Sequence, residues 1–231
     1  MKICVFSDVH GNIVTLQKML STEKNNIDQF IFLGDIFGYF CEQPAVIDTL
    51  IDIENLYSIK GNHERNYLLC LNDSTYKNQM VEKYGVSYEF ILSEKQLAYI
   101  ERLPEFHEVI IDGLKIGFFH GGPDDFLEQR VYPDTVLSEE SCGQFDFIFL
   151  GHTHYQFSKQ VGKTCVINPG SLGQPRDGKG FSYCIFDTQK EEFEFKQIEP
   201  DMDMLLDSVK AKEHESKNYF YLLKKYRGSD A

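Results

Sequence analysis

Five times along this chain an apolar run of strand length stops at a short polar loop carrying Asp, Asn or His. Residues 2–7 end at Asp8-Val9-His10-Gly11-Asn12, and residues 29–33 end at Gly34-Asp35. Residues 56–60 run into Gly61-Asn62-His63-Glu64, residues 114–119 into His120-Gly121-Gly122, and residues 145–150 into Gly151-His152-Thr153-His154. Helical patterns follow the first two loops, with Ile13, Leu16, Met19 and Leu20 on one face and then residues 45–53. Strands alternating with helices predict βαβ units and a partly parallel sheet. In such sheets ligands bind beyond the carboxyl ends of strands, so loops distant in sequence meet at one edge. Five of the seven histidines lie in these loops.

The remainder changes character twice. Residues 65–103 read as helical, with a capping box at Ser93 and Gln96 and an apolar face of Leu97, Ile100 and Leu103. After Pro104 the pattern is β. Residues 106–111 and 114–119 flank Asp112-Gly113, a two-residue hairpin signal. Residues 164–167 form a further strand, and residues 181–186 and 192–198 form a last hairpin. No linker divides the chain, which predicts one domain over residues 1–231, with 65–103 as a helical cap-like insertion and 200–231 as a C-terminal helical extension.

Thirty-six acidic residues against 23 basic ones leave a net charge of −13, which argues against binding nucleic acid through a broad basic surface. No apolar stretch approaches a membrane span, and Asp8 comes too early for a signal peptide. Six scattered cysteines without a CxxC pair fit a reducing, cytoplasmic setting.

The loops hold two carboxylates, one amide oxygen and several imidazoles. Such mixed N/O donors suit divalent transition metals such as Mn, Fe, Co, Ni or Zn, and the absence of thiolate speaks against a structural zinc site. The donors are too many for one ion and about enough for two. Two divalent ions against two carboxylates leave a net +2, an anion trap inside an acidic protein. That pair can hold a phosphoryl group and lower the pKa of a bridging water, so the expected reaction is in-line attack of hydroxide on phosphorus.

The series Asp8-x-His10, Gly34-Asp35-x-x-Gly38, Gly61-Asn62-His63-Glu64, His120-Gly121 and Gly151-His152-x-His154 resembles, in order, the five motifs of the calcineurin-like metallophosphoesterase superfamily. Residues 168–178 resemble a signature of its small prokaryotic phosphodiesterases. The resemblance implies a four-layer α-β-β-α sandwich of two mixed sheets flanked by helices. It implies that Asp8, His10, Asp35 and His154 hold one metal. Asp35 would bridge to a second, held also by Asn62, His120 and His152, with manganese favoured. His63 would face the substrate as a catalytic group, with Asn62 and Arg176 on the substrate side. The expected function is hydrolysis of a small phosphodiester. A phosphomonoesterase, a protein phosphatase, a dinucleotide polyphosphate hydrolase, a nuclease and a non-catalytic scaffold on the same fold stay open.

Taken singly, these residues have plainer readings. Asp8 suits a helix N-cap, Asp35 a turn, Asn62 a left-handed turn and His63 a surface position. Glu64 suits either support of His63 or an exposed helix start. Gly170, Ser171 and Arg176 suit a phosphate-facing loop or a turn closing the sheet edge, with the turn favoured for Ser171. Gly38 suits a tight turn, Tyr39 packing, and Arg130 solvent exposure. His107 and His214 fall outside any motif. Met202, Leu205, Leu206 and Val209, then Tyr219, Leu222, Leu223 and Tyr226, make two amphipathic patches. These suit packing on the chain's own body, with a homo-oligomer contact or a flap as alternatives. Residues 65–103 and 123–141 are expected to shape substrate choice.

Overall fold

Alternate residues of the first strand serve two different cores. In β1 (Lys2–Phe6), Ile3 and Val5 point one way and Cys4 and Phe6 the other, and all four are fully buried. A strand apolar on both faces belongs inside a layered sheet. The computed structural model describes residues 1–213 and places β1 at the middle of a five-stranded sheet. Parallel to it run β2 (Gln29–Phe32) and then β3 (Leu56–Ser58). On its other side β9 (Phe181–Asp187) runs antiparallel to it, and β10 (Glu192–Ile198) runs antiparallel to β9.

The second sheet has the order β4 (Phe106–Ile111), β5 (Leu114–Phe119), β6 (Phe147–Leu150), β8 (Thr164–Pro169) and β7 (Gln156–Val161). β5, β6 and β8 are parallel, and β4 and β7 close the edges antiparallel. The sheets face each other across Ile3, Val5, Ile31, Leu33, Ile116, Phe118, Phe149, Ile167 and Phe186. The β4–β5 turn has Asp112 and Gly113 both at positive φ, the primed turn that Asp-Gly favours. β7 has no counterpart in the sequence reading. Its residues, QFSKQV, lie half-exposed at an edge, so they lack the apolar run that marks interior strands.

Helices α1 (Ile13–Glu23), α2 (Gln43–Ile51), α3 (Asn62–Cys70), α4 (Ser74–Tyr84) and α5 (Glu94–Arg102) lie between the early strands and β4. Leu16, Met19, Val46, Ile47, Leu50, Tyr67 and Ile100 from these helices pack against Cys4, Phe6, Phe30 and Phe32 on the outer face of the first sheet. The residue 65–103 stretch is helical as expected. Its capping box closes, with Ser93 Oγ accepting from Gln96 N at 3.3 Å and Gln96 Oε1 accepting from Ser93 N at 3.0 Å. The outer face of the second sheet carries a thinner layer. There Val131, Leu137, Cys142 and Phe145 cover Ile148, Leu150 and Val166, and among the described residues the only regular element on that face is the one-turn α6 (Glu139–Cys142).

Helix α7 (Met202–Glu213) turns Leu205, Leu206 and Val209 into the same core as α1 and α2. That patch packs on the chain's own body. The patch of Tyr219, Leu222, Leu223 and Tyr226, and His214, lie outside the described residues. No helix among the described residues is long and apolar enough to cross a membrane.

Candidate metal centre

The polar loops of the sequence lie at the carboxyl ends of β1, β2, β3, β5 and β6, and both sheets turn that edge toward one point. Backbone bonds stitch the loops together. Asp8 N donates to Gly34 O (2.9 Å), His10 N to Asp35 O (3.0 Å) and Gly151 N to His120 O (2.9 Å). The turns are sharp. Asp8, His10, Asp35, His152 and His154 all have φ between 50° and 70°, a region that costs a non-glycine residue energy and that clusters at functional sites. Gly38 follows the second loop at φ 95°, and a Cβ there would stand 2.9 Å from the His63 ring and 3.2 Å from the His10 ring. It serves a tight turn, and one that only glycine fits.

Two overlapping nests result. Asp8, His10, Asp35 and His154 form one and Asp35, His120 and His152 the other, with donor atoms in each within 4.8 Å of one another and every residue buried. In the first, His154 Nε2 lies 3.2 Å from Asp8 Oδ1, while His10 Nε2 lies 3.7 Å from Asp8 Oδ1 and 3.9 Å from Asp35 Oδ2. His10 Nε2 and His154 Nε2 are themselves 3.0 Å apart. In the second, His120 Nε2 lies 3.2 Å from Asp35 Oδ2. The Asn62 amide tip joins this nest, 3.1 Å from His120 Nε2 and 3.2 Å from both His152 Nδ1 and Asp35 Oδ2.

Backbone carbonyls fix which ring nitrogens carry hydrogen. His10 Nδ1 faces Phe37 O at 2.5 Å, His154 Nδ1 faces Gln174 O at 2.6 Å, and His120 Nδ1 faces Leu33 O at 2.8 Å. A carbonyl only accepts, so each Nδ1 carries hydrogen and each Nε2 is the nitrogen turned inward, its lone pair open to a cation whenever the ring is neutral. Those lone pairs converge on carboxylate oxygens, and Asp8 Oδ1 is buried without a hydrogen-bond partner among the described residues. With its oxygen inward, Asn62 adds a further acceptor; with its nitrogen inward, it donates to these same atoms. Buried acceptors crowded on acceptors call for a shared cation, and carbonyl-anchored imidazoles are the usual support of metal ligands. The donor set therefore fits divalent metal ions.

Protonation follows from the same crowding. Burial works to raise Asp8, but the surrounding imidazoles, His154 foremost with His120 and His10, together outweigh it and hold the carboxyl well below the usual carboxylate range. For Asp35 burial is outweighed in the same way by His120, His63 and His10 together. Burial works to lower His120, and Asp35 overrides it, raising the ring to about 9. His152 is brought down to about 3 by burial and by His120, and His63 to about 4 chiefly by burial.

The remaining expectations divide. Asp8 is not an N-cap; Asn12 is, with Oδ1 accepting from Thr15 N at 3.1 Å. Glu64 neither touches the His63 ring nor lies exposed. It is fully buried and accepts from Asp35 N (2.8 Å), Ile36 N (2.6 Å) and Gly61 N (2.7 Å), so it clamps the second and third loops. Burial, then the Asp35 charge, push its carboxyl up to about 7. Ser171 is the turn residue: its Oγ donates to Asp8 O (2.8 Å) and accepts from Gly173 N (3.1 Å) and Gln174 N (2.7 Å). Arg176 is exposed at the rim, where Nη2 donates to Tyr39 OH at 2.7 Å, and Tyr39 stands edge-on to His10 at 4.8 Å. Arg130 is exposed, and His107 stacks on Tyr57 at 3.7 Å away from the nests.

Residues 65–103 contribute two side chains that sequence reasoning missed. Tyr84 stands edge-on to the His63 ring (4.8 Å), and the Tyr88 hydroxyl lies 2.7 Å from His63 Nδ1. They flank Gly85-Val86-Ser87, where a glycine at φ 68° ends α4 and Ser87 Oγ accepts from Gly38 N at 3.0 Å. A glycine break between two tyrosines inside a helical stretch was the available signal.

The fold and the nested donors define a metal-binding α/β sandwich. The chain belongs to the calcineurin-like phosphoesterase superfamily, whose domain model matches residues 1–191. An uncharacterised protein of Methanocaldococcus jannaschii is 31% identical over 229 residues, covering 90% of this chain and 91% of that one. Two crystal structures share the fold. A metallophosphoesterase from Sphaerobacter thermophilus has 24% identity and a TM-score of 0.77, over 96% of this chain and 98% of that one. A hypothetical protein from Pyrococcus horikoshii has 19% identity and a TM-score of 0.79, over 100% and 99%.

Proposed function

We propose that this chain is a two-metal phosphodiesterase acting on a small phosphate ester in the cytoplasm. One observation carries the reading: two buried nests share Asp35, with the imidazole lone pairs turned inward by backbone carbonyls. Asp8, His10, Asp35 and His154 would hold one divalent ion, and Asp35, Asn62, His120 and His152 the other, with manganese favoured. Bound ions there supply a Lewis-acid hold on phosphoryl oxygens and a water of lowered pKa.

His63 stands beside Asp35, the residue the nests share, with Nε2 3.9 Å from Oδ2, and would present that edge to the substrate. Burial keeps the ring neutral near pH 7, so it acts as a hydrogen-bond donor to the oxygen on which charge develops. The diester preference draws on residues 168–178, whose turn straps Asp8 and His154 and delivers one guanidinium, Arg176, to the rim.

The test is hydrolysis by metal-stripped protein of bis-(p-nitrophenyl) phosphate and p-nitrophenyl phosphate, with Mn, Ni, Co, Zn and Mg restored singly. Metal-restored cleavage favouring the diester is the expected result. Faster cleavage of the monoester overturns the diester assignment, and no cleavage with any metal overturns the enzyme reading.

A further inference from the structure

From this geometry we infer that Tyr88 is a positioning residue, its hydroxyl fixing the His63 ring in the tautomer that carries hydrogen on Nε2. The inference rests on the phosphoesterase reading for its catalytic consequence and on geometry for the rest.

His63 lies at the second residue of α3 and is 5% exposed, so its ring orientation is set by neighbours and not by water. Its backbone N–H donates to Asp35 Oδ1 at 2.9 Å, which fixes the main chain and leaves the ring free to turn. The ring is held by aromatic edges, His10 at 5.0 Å and Tyr84 at 4.8 Å, which exclude solvent without choosing a tautomer. Glu64 is committed to three backbone N–H groups and cannot serve.

The Tyr88 hydroxyl makes that choice. It lies 2.7 Å from His63 Nδ1 and 3.5 Å from His63 O; were it to accept from Nδ1, its own proton would be left with the long carbonyl contact, so donation to Nδ1 is the favoured direction. Nδ1 accepts only when its own hydrogen is absent, which places the hydrogen on Nε2. The other edge of the ring agrees, because Nε2 faces the acceptor Asp35 Oδ2 at 3.9 Å. The Tyr88 ring cannot drift: it is 1% exposed and packs at 5.9 Å from Phe37 and 5.6 Å from Tyr84. Its own segment is docked on the second loop through Ser87 and Gly38. The 65–103 segment therefore holds His63 at Nδ1 through one hydroxyl, away from the Nε2 edge offered to substrate, and a ring flipped or in the other tautomer would offer substrate a lone pair in place of a donor.

Two readouts test this. The first needs no activity: the ring 15N–1H correlation spectrum of His63 in the metal-loaded protein. The wild type is expected to show hydrogen on Nε2, and Tyr88→Phe, which keeps the aromatic packing, a mixture of tautomers. A His63 ring unchanged by Tyr88→Phe overturns the inference, even in a protein that hydrolyses nothing. The second is a double-mutant cycle on methyl p-nitrophenyl phosphate and methyl phenyl phosphate. Tyr88→Phe should lower kcat by about five- to tenfold, the worth of one hydrogen bond, with KM and metal content unchanged. The loss should be larger for phenyl, whose departing oxygen carries more charge, and should vanish in a His63→Ala background. An equal loss in that background would make Tyr88 a packing residue and overturn the inference. An inactive wild type would overturn the phosphoesterase reading instead, while the ring spectrum still decides the role of Tyr88.

Discussion

The two halves of the centre use the same kinds of donor but are held differently. Around Asp8, His10 and His154, both rings are anchored through Nδ1, Asp8 Oδ2 takes the His152 N–H at 3.1 Å, and exposure is 0–2%. Around His120, His152 and Asn62, only His120 has a carbonyl anchor. His152 Nε2 has no hydrogen-bond partner among the described residues, and His152 and Asn62 are 8% and 9% exposed. A donor already aimed loses less freedom when it binds, so the first half should bind its ion more tightly and exchange it more slowly.

The sharpest way to break this contrast is at the residue both halves share. Asp35→Asn should empty both sites and lower kcat by about 10³-fold or more, as removal of a preorganised charge at the reacting centre does. Normal metal content and activity would refute a bridging role. His63→Ala comes next: turnover should fall by about 10²–10³-fold with two ions retained, because the ring serves neither half as a ligand. Loss of an ion by mass spectrometry would make it one.

A matched pair then measures the contrast itself. His154→Ala should weaken the tighter calorimetric binding event by about 10²-fold, whereas His152→Ala should abolish the weaker event and leave one firmly held ion. Equal effects would show that anchoring does not set affinity. Smallest, Ser171→Ala should cost about 1 kcal/mol in urea unfolding and weaken the tighter event only. An equal shift in both events would mean that the strap supports the whole edge.

How far the sequence disclosed this follows from the range of each signal. The strand-end loops were legible because each is local: an apolar run, then Asp, Asn or His. They marked both nests, although the loops after β3 and β6 meet only through the fold. The hairpin at Asp112-Gly113 and the capping box at Ser93 were legible for the same reason. β7 was not, because an edge strand half in solvent has little periodicity to show. Glu64 was misread because its partners are backbone N–H groups of two loops, and nothing in a side-chain pattern announces them. Tyr88 was missed because its partner His63 lies 25 residues away across a helix and a glycine break, a distance no motif spans.

The central place of β1 in its sheet has a consequence for synthesis. β1 can pair with β2 once about thirty residues exist, but its other neighbour, β9, begins at Phe181. At about 5–20 residues per second on the ribosome, roughly 7–30 s separate the appearance of Asp35 from that of β9. Throughout that interval Asp8, His10 and Asp35 are available without the strap at Ser171 and Gln174 that orders Asp8 and His154. The nascent chain thus carries three of the donors well before it can carry the full set.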